Sequence, residues 1–238
     1  MKKIVFSFNK LDKWDKKYIL KYNGYGGKLF TNLLRLISFL GRETIWLSLI
    51  VYFLFIWYDR ILFSTIASTF LIGVIIIVPM KSLIERGRPF EELKEVNILD
   101  RKPTSRSFPS WHAYNVISQG LILSFIINSI WFTLIVIILA ILVCFSRVQL
   151  GVHYPSDVLF GSIIGIIGFL CCFFLLIPIT LQILKFFEHI MTLEIYHQTL
   201  NVLLYENTLY LLFVIGLYII IFLLAISDRI KRFYKRFK

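Results

Sequence analysis

AYNVISQGLILSFIINSIWFTLIVIILAILVCF, residues 113–145, decides the fold. It divides into two apolar segments, 113–129 and 130–145, with a tight turn at Asn128-Ser129. Each approaches the roughly 20 residues that a helix needs to cross the hydrocarbon core of a bilayer. Working outward, Ile61–Met80 and Val158–Leu181 read as further spans, and Leu209–Ile226 as the last. Ile45–Tyr58 is short for a span, and counting back to Phe39 brings it closer. In lipid only helices and closed barrels satisfy every backbone group. The expected architecture is therefore all-α, a polytopic membrane bundle of about six transmembrane helices.

The bulk composition agrees. Of 238 residues, 58% are hydrophobic, and the mean hydropathy is +0.78. That is too apolar for an ordinary soluble domain. The net charge of +12 sits at the chain ends and around the polar motifs, which suits the anionic face of a bilayer or anionic headgroups. Nucleic acid is not an expected partner, because no soluble basic domain is present to carry it. Cys144, Cys171 and Cys172 lie inside apolar runs and form neither a disulfide framework nor a CxxC metal pair. No apolar stretch follows the basic N-terminus closely enough to make a signal peptide, so the spans themselves are expected to direct insertion.

A single domain over 1–238 is expected: an N-terminal region 1–41, a core 42–181, and a connector, last span and basic tail over 182–238. In residues 1–26, Leu11, Trp14, Tyr18, Ile19 and Leu20 recur at helical spacing among lysines, which predicts an amphipathic helix lying on the membrane surface. Residues 28–41 read as interfacial or partly inserted, and 182–206 as an amphipathic connector.

Against this apolar background three polar segments stand out: Lys81-x6-Arg88-Pro89, Pro109-Ser110-Trp111-His112, and Ser146-Arg147-x5-His153-x3-Asp157. Polar groups are expensive in lipid, so such density marks a functional site. Loop 81–111 follows one span, and the chain returns two spans later with Arg147 to Asp157, so all three segments share one membrane face. His153 and Asp157 are four apart, one face of a helix, where the carboxylate can fix the imidazole tautomer and leave the other nitrogen as nucleophile or base. Pro155 suits the start of that helix. Ser110 is a candidate N-cap, the N–H groups behind it point at an anion, and His112 sits where it can protonate a leaving oxygen. Lys81 and Arg88 are two turns apart and project together if the helix continues to Pro89. Arg147 adds a third cation, and three converging cations repel unless an anion sits between them. Arg86, Arg101, Lys102 and Arg106 read as snorkelling or positive-inside anchors. The acidic Glu91, Glu92, Glu95 and Asp100 read equally as a mobile cover over the site or as a solvated loop.

This ordered, gapped signature over residues 81–157 resembles the type 2 phosphatidic acid phosphatase family, which includes bacterial undecaprenyl-diphosphate and lipid A phosphatases; the hydrophobic pattern carries the resemblance over most of the chain. The resemblance implies that His153 attacks phosphorus and forms a phospho-histidine. Asp157 orients it, and His112 protonates the leaving group and then activates water. Lys81, Arg88, Ser110 and Arg147 hold the non-bridging oxygens, and no metal or other cofactor is required. The family often has glycine where this chain has Trp111; the backbone N–H remains for a phosphate contact, and the indole is expected to tune substrate choice. The implied substrate is an anionic lipid: undecaprenyl diphosphate, phosphatidylglycerophosphate, phosphatidic acid or lipid A. A lipid phosphotransferase, a non-catalytic lipid-binding or transport scaffold, and a His/Asp metal site are the alternatives. No obligatory protein partner is expected. The family implies a multi-pass plasma-membrane protein with an extracytoplasmic site, whereas positive-inside counting with six spans puts the basic tail on the site's own face.

Overall fold

The computed structural model describes residues 9–190 and 199–236, with the side chains of 9–10 and 227–236 undescribed. The expectations for residues 1–8, for 191–198 of the connector and for 237–238 of the tail lie outside the described residues. Helices follow one another as α1 Asn9–Tyr22, α2 Gly27–Ile37, α3 Glu43–Val51, α4 Arg60–Ile84, α5 Pro89–Glu92 and α6 Trp111–Ile127. They continue as α7 Ile130–Gln149, α8 Pro155–Cys171, α9 Ile177–Ile190, α10 Leu203–Glu206 and α11 Thr208–Arg236. The all-helical expectation holds among the described residues. Among the described residues four helical stretches are long and apolar enough to cross a membrane: Arg60–Glu92, Ile130–Gln149, Pro155–Ile190 and Thr208–Ile226. There are five if Gly27–Gly41 and Glu43–Ile56 together make one broken span. The expected span at 113–129 forms α6, whose 17 residues rise only about 25 Å. Ile45–Tyr58 is not one regular helix, because α3 ends at Val51 and a wider π turn occupies Tyr52–Ile56.

Two compact units emerge, Met1–Arg42 with Thr69–Phe174, and Glu43–Ser68 with Leu175–Lys238. In the second unit, Tyr218 on α11 donates to the Ser48 carbonyl at 3.0 Å, and Glu188 accepts from both Tyr58 and Arg60 at 2.5 Å. The first unit carries all the motifs. Its core joins Ile19 of α1 to Ala113 of α6, Val148 of α7 and Tyr154 and Val158 of the α8 region. A second cluster links Ile77, Tyr114 and Ile164 on α4, α6 and α8. The opposite side of α7 leaves Trp131, Ile135, Ile138 and Ile141 exposed, an apolar face that suits lipid rather than water.

The Asn128-Ser129 reversal is as expected. Asn128 adopts a left-handed conformation at φ 48°, and Ser129 caps α7 by accepting from the Phe132 amide. Helices α6 and α8 then pack closely because Gly161 lies against the start of α6. A Cβ there would sit 2.5 Å from the Ser110 carbonyl oxygen, a backbone atom that cannot rotate away. Gly161→Ala should therefore destabilise the protein by about 1–3 kcal/mol through overpacking. Gly216→Ala, where an added Cβ meets nothing within 4 Å, should not destabilise it. Thermal unfolding of the two variants in detergent checks the contrast.

Candidate active site

Helix α4 stops at Ile84, and Glu85 turns the chain with a left-handed φ of 42°. Arg88 is thus not on the helix that carries Lys81; it stands in extended backbone ahead of α5 (φ −90°, ψ 155°). The expectation of a continuous two-turn helix is corrected, yet the two side chains still meet at one place. Lys81 Nζ donates to the carbonyls of Arg106 at 2.7 Å and Ser107 at 3.4 Å. Arg88 is buried and donates through Nε to the Ser105 carbonyl at 2.7 Å, and through Nη1 to the Val152 carbonyl at 2.6 Å. Both cations therefore clasp segment 105–107 through backbone oxygens.

His153 lies just before α8 rather than on it. Pro155 is the first helical residue, and Asp157 at the third caps the helix by accepting from the Tyr154 amide at 2.9 Å. The Nδ1 atom of His153 is 3.5 Å from Asp157 Oδ2, longer than an ordinary hydrogen bond. Its Nε2 faces Arg88 Nη1 at 3.3 Å. A guanidinium has only donors, so Nε2 presents its lone pair there and the neutral ring carries its proton on Nδ1, the side of Asp157. That is the tautomer in which Nε2 can act as a nucleophile. Burial, followed by the positive charges of Arg88, Lys81 and Arg147, holds the His153 pKa well below its ordinary 6.5.

Ser110 is fully buried at the N-cap of α6, where its Oγ accepts from the Ala113 amide at 3.4 Å and its own amide donates to the Asp157 carbonyl at 3.0 Å. The Trp111 and His112 amides head the helix, where free N–H groups are the rule. The Trp111 indole packs on Phe70 and Tyr114, with ring centroids 5.8 and 5.9 Å apart. Its buried Nε1–H has no hydrogen-bond partner among the described residues. The backbone at Gly41 lies against His112: a Cβ on Gly41 would come within 2.8 Å of the His112 Cβ, and Asn115 fixes the spot by donating to the Gly41 carbonyl at 3.1 Å. Arg147 donates to Ser38 Oγ at 2.5 Å and pairs with Asp100 at 3.0 Å.

Two features were not anticipated. Arg86, read as a surface anchor, is buried at 9% exposure; its Nη1 pairs with Asp157 Oδ1 at 2.7 Å, and the guanidinium stacks on the Tyr154 ring at 4.3 Å. No local sequence pattern announced this, because its partners Asp15 and Asp157 are each 71 residues away. Nor is the acidic loop a loose cover. Glu91 accepts from the Arg88 amide at 2.9 Å, Glu92 from the Tyr154 hydroxyl at 2.8 Å, and Asp100 stands between Arg147 and Arg42, the latter at 3.8 Å.

A sequence profile of the PAP2 superfamily matches residues 57–181, which hold every one of these motifs. The chain belongs to the PAP2 superfamily. Undecaprenyl-diphosphatase of Sulfolobus acidocaldarius is 32% identical over 56% of this chain, which spans 64% of that protein's length. The bacitracin transport permease protein BcrC of Bacillus licheniformis is 33% identical, over 58% of this chain and 76% of that one. Two crystal structures share the fold at 22% identity. LpxE of Aquifex aeolicus gives a TM-score of 0.59 over 66% of this chain and 93% of its own. The PAP2-type phosphatidylglycerolphosphate phosphatase of Bacillus subtilis gives 0.54 over 79% and 90%. With its apolar helices and these membrane relatives, the chain is a multi-pass membrane protein.

A neutral His153 at physiological pH has a kinetic signature. The acid limb of kcat/KM for a phosphate ester should lie below 6.5, because the ring stays unprotonated until the pH falls well under its ordinary pKa. Lys81→Met removes one of the depressing charges and should move that limb upward. A pH–rate profile of both proteins checks the direction.

Proposed function

We propose that this protein is a metal-independent lipid phosphatase acting through a phospho-histidine. The observation that carries the reading is His153 Nε2 facing the Arg88 guanidinium at 3.3 Å with Asp157 behind Nδ1. In the first step Nε2 attacks phosphorus as the bond to the leaving oxygen breaks, and His112 gives that oxygen a proton. Lys81, Arg88 and Arg147, with Ser110 and the amides at the start of α6, take the charge of the non-bridging oxygens in place of the carbonyls and carboxylate they now hold. Asp157 stabilises the positive charge on the imidazole, its contact with Nδ1 tightening as that charge develops. In the second step water attacks the phospho-histidine, His112 takes its proton, and His153 and inorganic phosphate are released. Phosphoryl transfer asks mainly for positioning and charge stabilisation, which this cluster supplies.

The substrate in this reading is an anionic membrane lipid with a terminal phosphate, its tail entering between helices from the bilayer. Undecaprenyl diphosphate is the first candidate, because the Sulfolobus relative is named for it. Phosphatidylglycerophosphate, phosphatidic acid and lipid A follow. Six spans are proposed, α6 among them, with α1 lying at the interface and the whole chain acting as one phosphatase domain in the plasma membrane, its site extracytoplasmic.

Detergent-purified protein, assayed with EDTA for phosphate release from these four lipids, should release phosphate from at least one. His153→Ala should lower that rate by about 10³-fold or more, as loss of an activated nucleophile does. Phosphate passed to a second lipid instead of to water would make the protein a phosphotransferase. Release unaffected by His153→Ala would overturn the nucleophile, and no turnover with any lipid would favour the non-catalytic scaffold.

A further inference from the structure

Asp15 is wholly buried, although its neighbours in α1 are lysines and the helix's outer side exposes Trp14 and Leu20. Its two oxygens are both engaged at the catalytic end of α8. Oδ1 accepts from the Ser156 amide at 2.9 Å, and Oδ2 accepts from Ser156 Oγ at 2.5 Å and from Arg86 Nη2 at 2.6 Å. The other guanidinium nitrogen, Nη1, donates to Asp157 Oδ1 and to Ser156 Oγ, each at 2.7 Å. One guanidinium thus bridges two carboxylates that have no exposed surface, one from the surface helix and one beside His153. Asp12, at 3.3 Å from Nη2, adds a half-exposed third.

Holding α1 in place does not require this. Ile19 already packs into the core with Tyr154 and Val158, and apolar side chains dock a helix without the several kcal/mol that burying each ion costs. What Asp15 changes is how Arg86 meets Asp157. A guanidinium alone with a carboxylate favours the two-pronged pairing that occupies both oxygens. Here Asp15 takes Nη2, and Arg86 meets Asp157 through Nη1 on Oδ1. Oδ2 stays on the other side, where it accepts from Ser107 Oγ and the Tyr154 amide and faces His153 Nδ1.

We propose that Asp15 is a positioning residue of the reaction: by holding Arg86 to a one-pronged contact with Asp157, it keeps Oδ2 turned to His153, and α1 thereby completes the active site. The proposal rests on the phosphatase reading for its kinetic consequence but not for its geometry, and the test separates the two. Asp15→Asn keeps the shape and removes the charge. Expected in the full-length, detergent-purified protein is a fall in kcat of about 10–100-fold, the scale of a displaced catalytic group, with KM nearly unchanged. In an Asp157→Asn background the same substitution should have little further effect, because Asp15 acts through Asp157. Ile19→Ala should lower thermal stability and leave kcat unchanged. Should Asp15→Asn not fold, Asp15→Glu, which keeps the charge and displaces the carboxylate by one methylene, reads the same geometry. Independently of turnover, ¹⁵N-imidazole NMR of His153 should show altered resonances and an altered titration midpoint in Asp15→Asn. An unchanged His153 spectrum, or full additivity with Asp157→Asn, would overturn the proposal even if no lipid were turned over. Wild-type inactivity with a changed spectrum would leave it supported and would remove only the phosphatase reading.

Discussion

Asp157 is a carboxylate with no exposed surface, set at the start of a helix whose remaining turns are almost all apolar. A bare charge in that position would cost several kcal/mol, so the surrounding chain must bring it partners. They come from four places: Arg86 after α4, Ser107 in the long loop, the Tyr154 amide just before α8, and the α8 N-terminus itself. Satisfying this one group forces segments far apart in the chain to converge. The convergence brings Lys81, Arg88, Ser110 and His153 within reach of one another. The site is in this sense the solution to a solvation problem inside a membrane protein.

Second only to that is the close approach of α6 to α8. Gly161 lets the Ser110 carbonyl lie where a side chain would otherwise stand, and Gly165 and Gly168 extend the same face against Tyr114 and Ile117. In lipid, where apolar helices gain little by leaving their solvent, small residues are what permit close helix contact. The start of α6 is thus held against the helix that carries Asp157 by close packing together with the Ser110 amide's hydrogen bond to the Asp157 carbonyl.

Much of this was legible in the sequence, and the division is physical. Spans at 61–80, 130–145 and 209–226 show because hydropathy is summed over many residues and tolerates error at each. The motif residues show because polar groups beside apolar runs need a reason. Helix ends were harder: Pro89 is a visible stop, but α4 ends earlier, at the left-handed Glu85, a conformation that no residue type announces. The spacing of His153 and Asp157 and the helix-starting Pro155 implied incompatible things, and the proline was the better guide, since it fixes backbone while spacing only permits contact. Arg86 was misread because its partners lie 71 residues away on either side, at Asp15 and Asp157, and no local pattern couples them. The sequence does not place the Trp111 indole, which packs on Phe70 and Tyr114, neighbours that only the fold supplies.

The buried pair of Asp100 with Arg147 gives this cation a resident carboxylate. Any anion approaching Arg147 competes with a carboxylate tethered in the same chain, whose effective concentration is that of an intramolecular reactant. Binding there is an exchange of one negative group for another rather than the filling of an empty positive hole, and the same exchange runs in reverse when an anion leaves. A cluster with this many cations would otherwise grip inorganic phosphate and be slow to let go. In the proposed reaction the resident aspartate would set a ceiling on that grip, and so favour turnover over tight retention.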